Sequence, residues 1–249
     1  MHSAEFRFYE ELNDFLPPDR RKQGFLYAFA GTPAVKDAIE AQGVPHTEVD
    51  LILVNGLSVG FDYHVQPGDR VAVYPVFESL DIFPVSRVRP EPLRRIRFIA
   101  DVHLGKLARW LRLLGFDTLY RNDLADAEII ASALAENRII LTCDLGLLKN
   151  KAVTHGYWVR ASSPGEQTRE VIQRFTLLRS AAPFSRCLGC NGGIEAIARA
   201  EAHKSVPPQV AAACDSFNRC RSCGRIYWRG SHHARLTERL KSLGLEPGA

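Results

Sequence analysis

The stretch IRFIADVHLGKLARWLRLLGFDTLY, residues 96–120, decides the fold. Its start, Ile96-Arg97-Phe98-Ile99-Ala100, is a short apolar run that stops at Asp101, the pattern of a buried strand. Leu104, Leu107, Ala108, Leu111 and Leu114 then recur at intervals of one helical turn, so a helix with one apolar face follows. Gly115 ends it, because glycine tolerates the left-handed backbone of a helix terminus. Phe116 to Tyr120 opens a second strand.

The alternation continues outward. Asp126 to Glu136 reads as a helix with Ile129, Ile130, Ala133 and Leu134 on its apolar side. Arg138 to Thr142 is a third strand ending near Asp144, Gly156 to Arg160 a fourth, and Glu166 to Leu178 a closing helix. A βαβα order of this kind predicts a parallel α/β sheet covered by helices over residues 94–182.

On the N-terminal side, Phe6 to Tyr9 and Gly24 to Phe29 read as strands. A helix follows from Thr32 as cap and Pro33 at its first position. Leu51 to Val54 and Ser58-Val59 flank Asn55-Gly56, a two-residue hairpin turn. Asp69 to Pro75 is a last strand after the Pro67-Gly68 turn. This order predicts a β-grasp domain over 1–82. Pro84, Pro90 and Pro92 mark 83–93 as a stiff linker.

On the C-terminal side, Cys187-Leu188-Gly189-Cys190 and Cys220-Arg221-Ser222-Cys223 form two CxxC knuckles. Four thiolates are what a structural zinc takes in tetrahedral geometry. They predict a zinc ribbon over 183–240 and one zinc ion, followed by a tail at 241–249. A closed four-thiolate site leaves no position for substrate, so chemistry belongs elsewhere. Cys143 and Cys214 read as free thiols.

Composition narrows the class. Hydrophobic residues at 46% and charged residues at 24% suit a globular protein. No apolar run approaches the roughly 20 residues of a membrane span. Met1-His2-Ser3-Ala4-Glu5 has no export pattern, so a cytoplasmic location is expected and a disulfide framework is not. Residues 1–90 hold 8 basic and 13 acidic residues, a net of −5; residues 91–249 hold 24 and 15, a net of +9. A polyanion such as a nucleic acid is the expected partner of the basic portion, the alternative being charge balance between neighbouring domains.

Open parallel sheets bind ligands at the carboxyl ends of their strands. Asp101 and Asp144 fall at such ends, and Asp126 and Glu128 open the helix after the second strand. Carboxylates gathered there would repel one another without a hard cation, for which Mg²⁺ or Mn²⁺ is the expectation. The alternative is that these acids only favour helix N-termini. Lys106, Arg109 and Arg112 recur every three residues on the first helix, and Arg225 follows the second knuckle. They are candidates for nucleic-acid phosphates, or else a solvated face. Arg186, Arg221, Trp228 and Arg229 also surround the knuckles, with Trp228 and Tyr227 equally suited to the ribbon's small core.

Two resemblances sharpen this. Gly43-Val44-Pro45, Val54-Asn55-Gly56 and Pro67 through Pro75 resemble the ubiquitin-like sulfur carriers. Those end in Gly-Gly, whereas this chain continues through Phe77-Glu78-Ser79-Leu80-Asp81, so an interaction or regulatory module binding a protein partner is expected instead. Phe98 to Asp101, Leu104 to Asp117, Ile139 to Asp144, Phe184 to Asn191 and Cys220 to His232 together resemble the C-terminal RNase domain of the Mut-seven exonucleases, a PIN-like fold with a zinc ribbon. The resemblance implies a metal-dependent ribonuclease, with Asp101, Asp126 and Asp144, and Glu128 as a fourth, holding Mg²⁺ or Mn²⁺ rather than acting as nucleophiles. Cys143 departs from it, standing where an arginine is usual. A non-catalytic RNA- or ribosome-binding protein, and a toxin-like nuclease restrained by its N-terminal domain, are the alternatives.

Overall fold

The computed structural model of the chain describes residues 1–75, 85–88 and 96–241. Most of the expected linker, the Phe77–Asp81 segment and nearly all of the expected tail lie outside them. In chain order the strands and helices are β1 (His2–Phe8), β2 (Phe25–Phe29), α1 (Val35–Ala41), β3 (Val49–Val54), β4 (Leu57–Ser58) and β5 (Arg70–Pro75). Next come β6 (Phe98–Ala100), α2 (Gly105–Leu113), β7 (Thr118–Leu119), α3 (Asp126–Glu136), β8 (Ile139–Thr142), α4 (Leu145–Leu148), β9 (Gly156–Trp158) and α5 (Pro164–Arg174). The remainder is β10 (Ile194–Ile197), α6 (Arg199–Ala202), α7 (Pro208–Ala213), β11 (Phe217–Cys220), β12 (Ile226–Trp228) and α8 (Ser231–Lys241).

The N-terminal sheet runs β2-β1-β5-β3-β4, with β1 parallel to β5 and its neighbours antiparallel. This is the β-grasp arrangement, with Phe6, Phe8, Ile39, Ile52 and Val73 fully buried in its core. The Asn55-Gly56 turn has both residues at positive φ, 52° and 85°, as a right-twisted hairpin requires. One helix start differs from expectation. Thr32 and Pro33 do not begin α1; Ala34 is its N-cap. The carbonyls of Thr32 and Pro33 instead accept from His64 and from the Val65 amide, and Ala34 pairs with His64.

In the central segment β6 pairs in parallel with β7, and β8 in parallel with β9, as the βα alternation requires. The closing helix starts two residues earlier than expected and ends sooner, with a 3-10 turn at Leu177–Ser180. Ser163 caps it: its hydroxyl accepts from the Glu166 amide at 3.4 Å and donates to the Glu166 carboxylate at 2.6 Å. The ribbon is an antiparallel sheet, β10-β11-β12, whose small core is Ala202, Val206 and Phe217 with Trp228 packed against it. The Ala-rich stretch supplies α6 and α7, and the residues after β12 form α8.

Compact units do not follow chain order. One holds Met1–Arg95 and Ala125–Trp158; the other holds Ile96–Leu124 and Val159–Ala249. In the first unit the β-grasp domain is tied to the 125–158 segment. His46 Nε2 lies 2.7 Å from the Val153 carbonyl, and Nδ1 lies 2.5 Å from Glu40. Glu48 accepts from the Trp158 amide at 2.6 Å, and the Phe15 and Trp158 rings meet at 5.1 Å.

Candidate functional site

The four knuckle sulfurs all lie within 4.8 Å of one another. Cys187 and Cys223 Sγ are 3.7 Å apart, and Cys190 and Cys220 Sγ 3.4 Å. Tetrahedral zinc with sulfurs at about 2.3 Å sets an edge of about 3.8 Å, the scale of these separations, so this donor set could hold a zinc ion. The electrostatics ask for a cation. Burial raises the Cys187 thiol, but hydrogen bonds from the Tyr227 hydroxyl and the Cys190 and Gly189 amides outweigh it and bring it to about 6. At Cys190 burial dominates against a Gly192 amide hydrogen bond, and with the neighbouring sulfurs of Cys220, Cys223 and Cys187 it drives the thiol up to about 12. Four thiolates so close ionise together only around a positive ion.

The first knuckle is anchored to the α/β segment of its unit. Arg112 on α2 is 3% exposed. Its guanidinium donates to the carbonyls of Thr118 at 2.9 Å, Gly189 at 2.9 Å, Leu188 at 3.2 Å and Tyr120 at 3.4 Å. This corrects the expected basic stripe: Arg112 is a buried clamp with its donors committed to backbone, so it does not stand with Lys106 and Arg109 on an exposed face. Asn191, at φ 68°, accepts from the Thr118 amide and donates to Asp117. Arg186 bonds the Gly115 and Asn191 carbonyls and pairs with Asp117 at 3.2 Å.

Lys106, Arg109 and Arg225 are exposed and line a cavity of about 710 Å³. Val102 and His103, directly after β6 and Asp101, form part of its wall, as do Tyr120 and Pro164. Tyr120 packs over Gly105, where a Cβ would come within 2.5 Å of its hydroxyl, and donates to the Val102 carbonyl. Among the described residues none of these three cations has an ion-pair partner. Arg221, by contrast, pairs with Glu195, and Arg219 with Glu195 and Glu201.

The acidic candidates divide between the units: Asp101 belongs to the second, and Asp126, Glu128 and Asp144 to the first. Asp101 is 5% exposed and accepts from the Val102 amide at 2.5 Å. Asp144 caps α4 through the Gly146 amide at 2.7 Å. Asp126 is exposed at the start of α3, and Glu128 accepts from the Ala125 amide at 3.0 Å, a local capping role. Cys143 is exposed beside Asp144, and its carbonyl accepts from Trp158 Nε1.

Sequence reasoning missed two contributions to this region. One is Tyr120, whose position four residues after Phe116 gave no hint of its packing on Gly105. The other is the hydrogen bond from Tyr227 to Cys187, which only the fold brings together.

The family model described as the Mut7-C RNAse domain matches residues 96–240, and that described as Mut7-C ubiquitin matches residues 1–81. No curated protein and no solved structure matches the chain.

Proposed function

Because the chain belongs to the Mut7-C RNAse domain family, we propose that it is a metal-dependent ribonuclease hydrolysing RNA phosphodiesters. Within the matched segment, the observation that carries this reading is the cavity with three unpaired cations that begins at the residues directly after Asp101. In this reading Lys106, Arg109 and Arg225 hold the RNA backbone, with affinity falling as salt rises. Asp101, Asp126, Asp144 and Glu128 would hold Mg²⁺ or Mn²⁺, since an all-carboxylate donor set suits a hard ion. The chemistry supplied with such an ion in place is Lewis-acid assistance to phosphodiester hydrolysis. Zinc in the four-cysteine cluster is structural in this reading. The expected setting is the cytoplasm; among the described residues no helix is long and apolar enough to cross a membrane.

The test is cleavage of labelled RNA by the full chain with Mg²⁺ or Mn²⁺. Asp101→Asn and Asp144→Asn should each lower the rate at least about a hundredfold, the scale on which charge stabilisation acts. Unchanged rates in both would end this reading.

A specific observation favours one elaboration, restraint of the nuclease by its N-terminal domain. His46 grips the carbonyl of Val153, five residues past the end of α4, the helix that Asp144 caps. His46→Ala should then raise cleavage; an unchanged or lower rate speaks against restraint and leaves a protein partner as the role of the β-grasp domain.

A further inference from the structure

We propose that the second unit carries a chamber for an unpaired base of single-stranded RNA, next to the phosphate-binding cations. The proposal rests on the RNA reading above and names the form of the RNA. A second cavity, of about 690 Å³, lies between the ribbon and α8, with Phe184, Tyr227, Trp228, His233 and Leu236 in its wall. It shares Arg109, Leu188 and Arg225 with the cationic cavity, so the two meet along that seam. Each is within the range of a small-molecule site, roughly 300–1,000 Å³.

Chemistry differs across the seam. Arg109 and Arg225 stand on the seam itself, with Lys106 on one side of it and aromatic rings, with Arg229 in the wall, on the other. Among the described residues Arg109, Arg225 and Arg229 have no carboxylate partner, although Arg186, Arg199, Arg219 and Arg221 of the same unit are all paired. The uncompensated charge calls for an anion along the seam, and the rings call for something flat and apolar beside it. A nucleotide offers both within one unit of its chain. In duplex RNA the bases are stacked and paired, and only an unpaired strand can turn one into a chamber.

The seam is built, not incidental. Arg225 lies across Gly189, where an added Cβ would sit 3.0 Å from its Nη1 and push the guanidinium aside by a few tenths of an ångström. The Tyr227 hydroxyl is held on Cys187, which fixes the ring in the wall. Phe184, at φ 62°, stacks on His233 with centroids 4.2 Å apart and closes the far side. Trp228 Nε1 has no hydrogen-bond partner among the described residues and offers a donor to a base edge.

The test is fluorescence anisotropy of the zinc-loaded full chain without added Mg²⁺ or Mn²⁺. The probes are a labelled 12-nucleotide oligouridylate, its duplex, and an abasic strand of equal charge. Oligouridylate should bind at least about fivefold more tightly than the abasic strand, the low end of base stacking on aromatic side chains. It should also bind more tightly than the duplex. Arg109→Ala and Arg225→Ala should each weaken binding about tenfold and reduce the salt slope by about 0.7 for each phosphate no longer neutralised. Leu236→Trp, which fills the chamber, should erase the preference for bases over the abasic strand, with zinc content unchanged.

Equal affinity for the abasic strand or the duplex overturns the proposal, and that comparison needs no variant. Discrimination that survives in Leu236→Trp overturns it as well. Tight, base-dependent binding with no cleavage after Mn²⁺ is added upholds the chamber and ends the ribonuclease reading. Cleavage with base-indifferent binding does the reverse.

Discussion

The hydroxyl of Tyr227 donates to Cys187 Sγ across 2.9 Å. The donor is worth most to the ionised sulfur, and it helps hold the Cys187 thiol at about 6 against the pull of burial. A thiol whose folded pKa is depressed contributes its full stability only above its unfolded value of 9.0, and loses it progressively as pH falls from there through about 6. Zinc should therefore stay bound at neutral pH and leave on acidification. In Tyr227→Phe the release midpoint should move to higher pH. A chromogenic zinc chelator followed through a pH titration measures both midpoints; coincident curves would remove Tyr227 from the account.

Arg112 is the clamp whose loss should cost most. Replacing it with methionine keeps the bulk and orphans the Thr118, Leu188 and Gly189 carbonyls. Of these only Thr118 is buried; leaving its carbonyl without a partner, together with loss of charge-assisted bonds to the half-buried Leu188 and exposed Gly189, should destabilise by about 1–3 kcal/mol. Lysine should not rescue, since one ammonium cannot span carbonyls on β7 and on the knuckle. Denaturant unfolding of the zinc-loaded variants checks both points.

The case of Arg112 also shows where the sequence stops being legible. Spacing put it with Lys106 and Arg109, because three-residue intervals share a helix side. Its partners Leu188 and Gly189 lie more than seventy residues away, and nothing local in the chain announces them. Signals that act locally were readable: Asn55-Gly56 as a hairpin, Gly115 as a helix end, the CxxC pairs as one cluster. Thr32-Pro33 failed as a helix start because residues 63–65 claim that backbone through pairing. Ser163 and Glu166 have the spacing of a capping box, and Pro164 between them fits a first helical position, so this helix start was legible two residues before Glu166. The division of the acidic candidates between two compact units had no counterpart in the sequence.

Gly115 should tolerate no side chain. Its φ is 93°, and a Cβ would come within 2.3 Å of the Ala182 carbonyl oxygen. Gly115→Ala combines a left-handed strain with a backbone clash and should cost roughly 2–4 kcal/mol. Urea unfolding should show a lower midpoint at an unchanged slope.

His46→Leu should loosen the join between the β-grasp domain and the 125–158 segment. It strands the Glu40 carboxylate and the Val153 carbonyl, a loss of about 1–3 kcal/mol. Hydrogen exchange should quicken around Val153 while the β1–β5 pairing stays protected. Uniform loss of protection across both would mean the residue supports the whole unit instead.

The interleaved make-up of the two units sets a timetable for the nascent chain. The β-grasp strands are complete by Pro75, yet their unit still lacks Ala125–Trp158. At the usual elongation rate the 63 residues from Arg95 to Trp158 take roughly 3–13 s to appear. For that interval Phe15 has no Trp158 ring to meet and His46 no Val153 to hold. An early-folding N-terminal domain thus waits on the ribosome with a surface meant for its own chain, an interval in which a chaperone or a second nascent copy can reach it first.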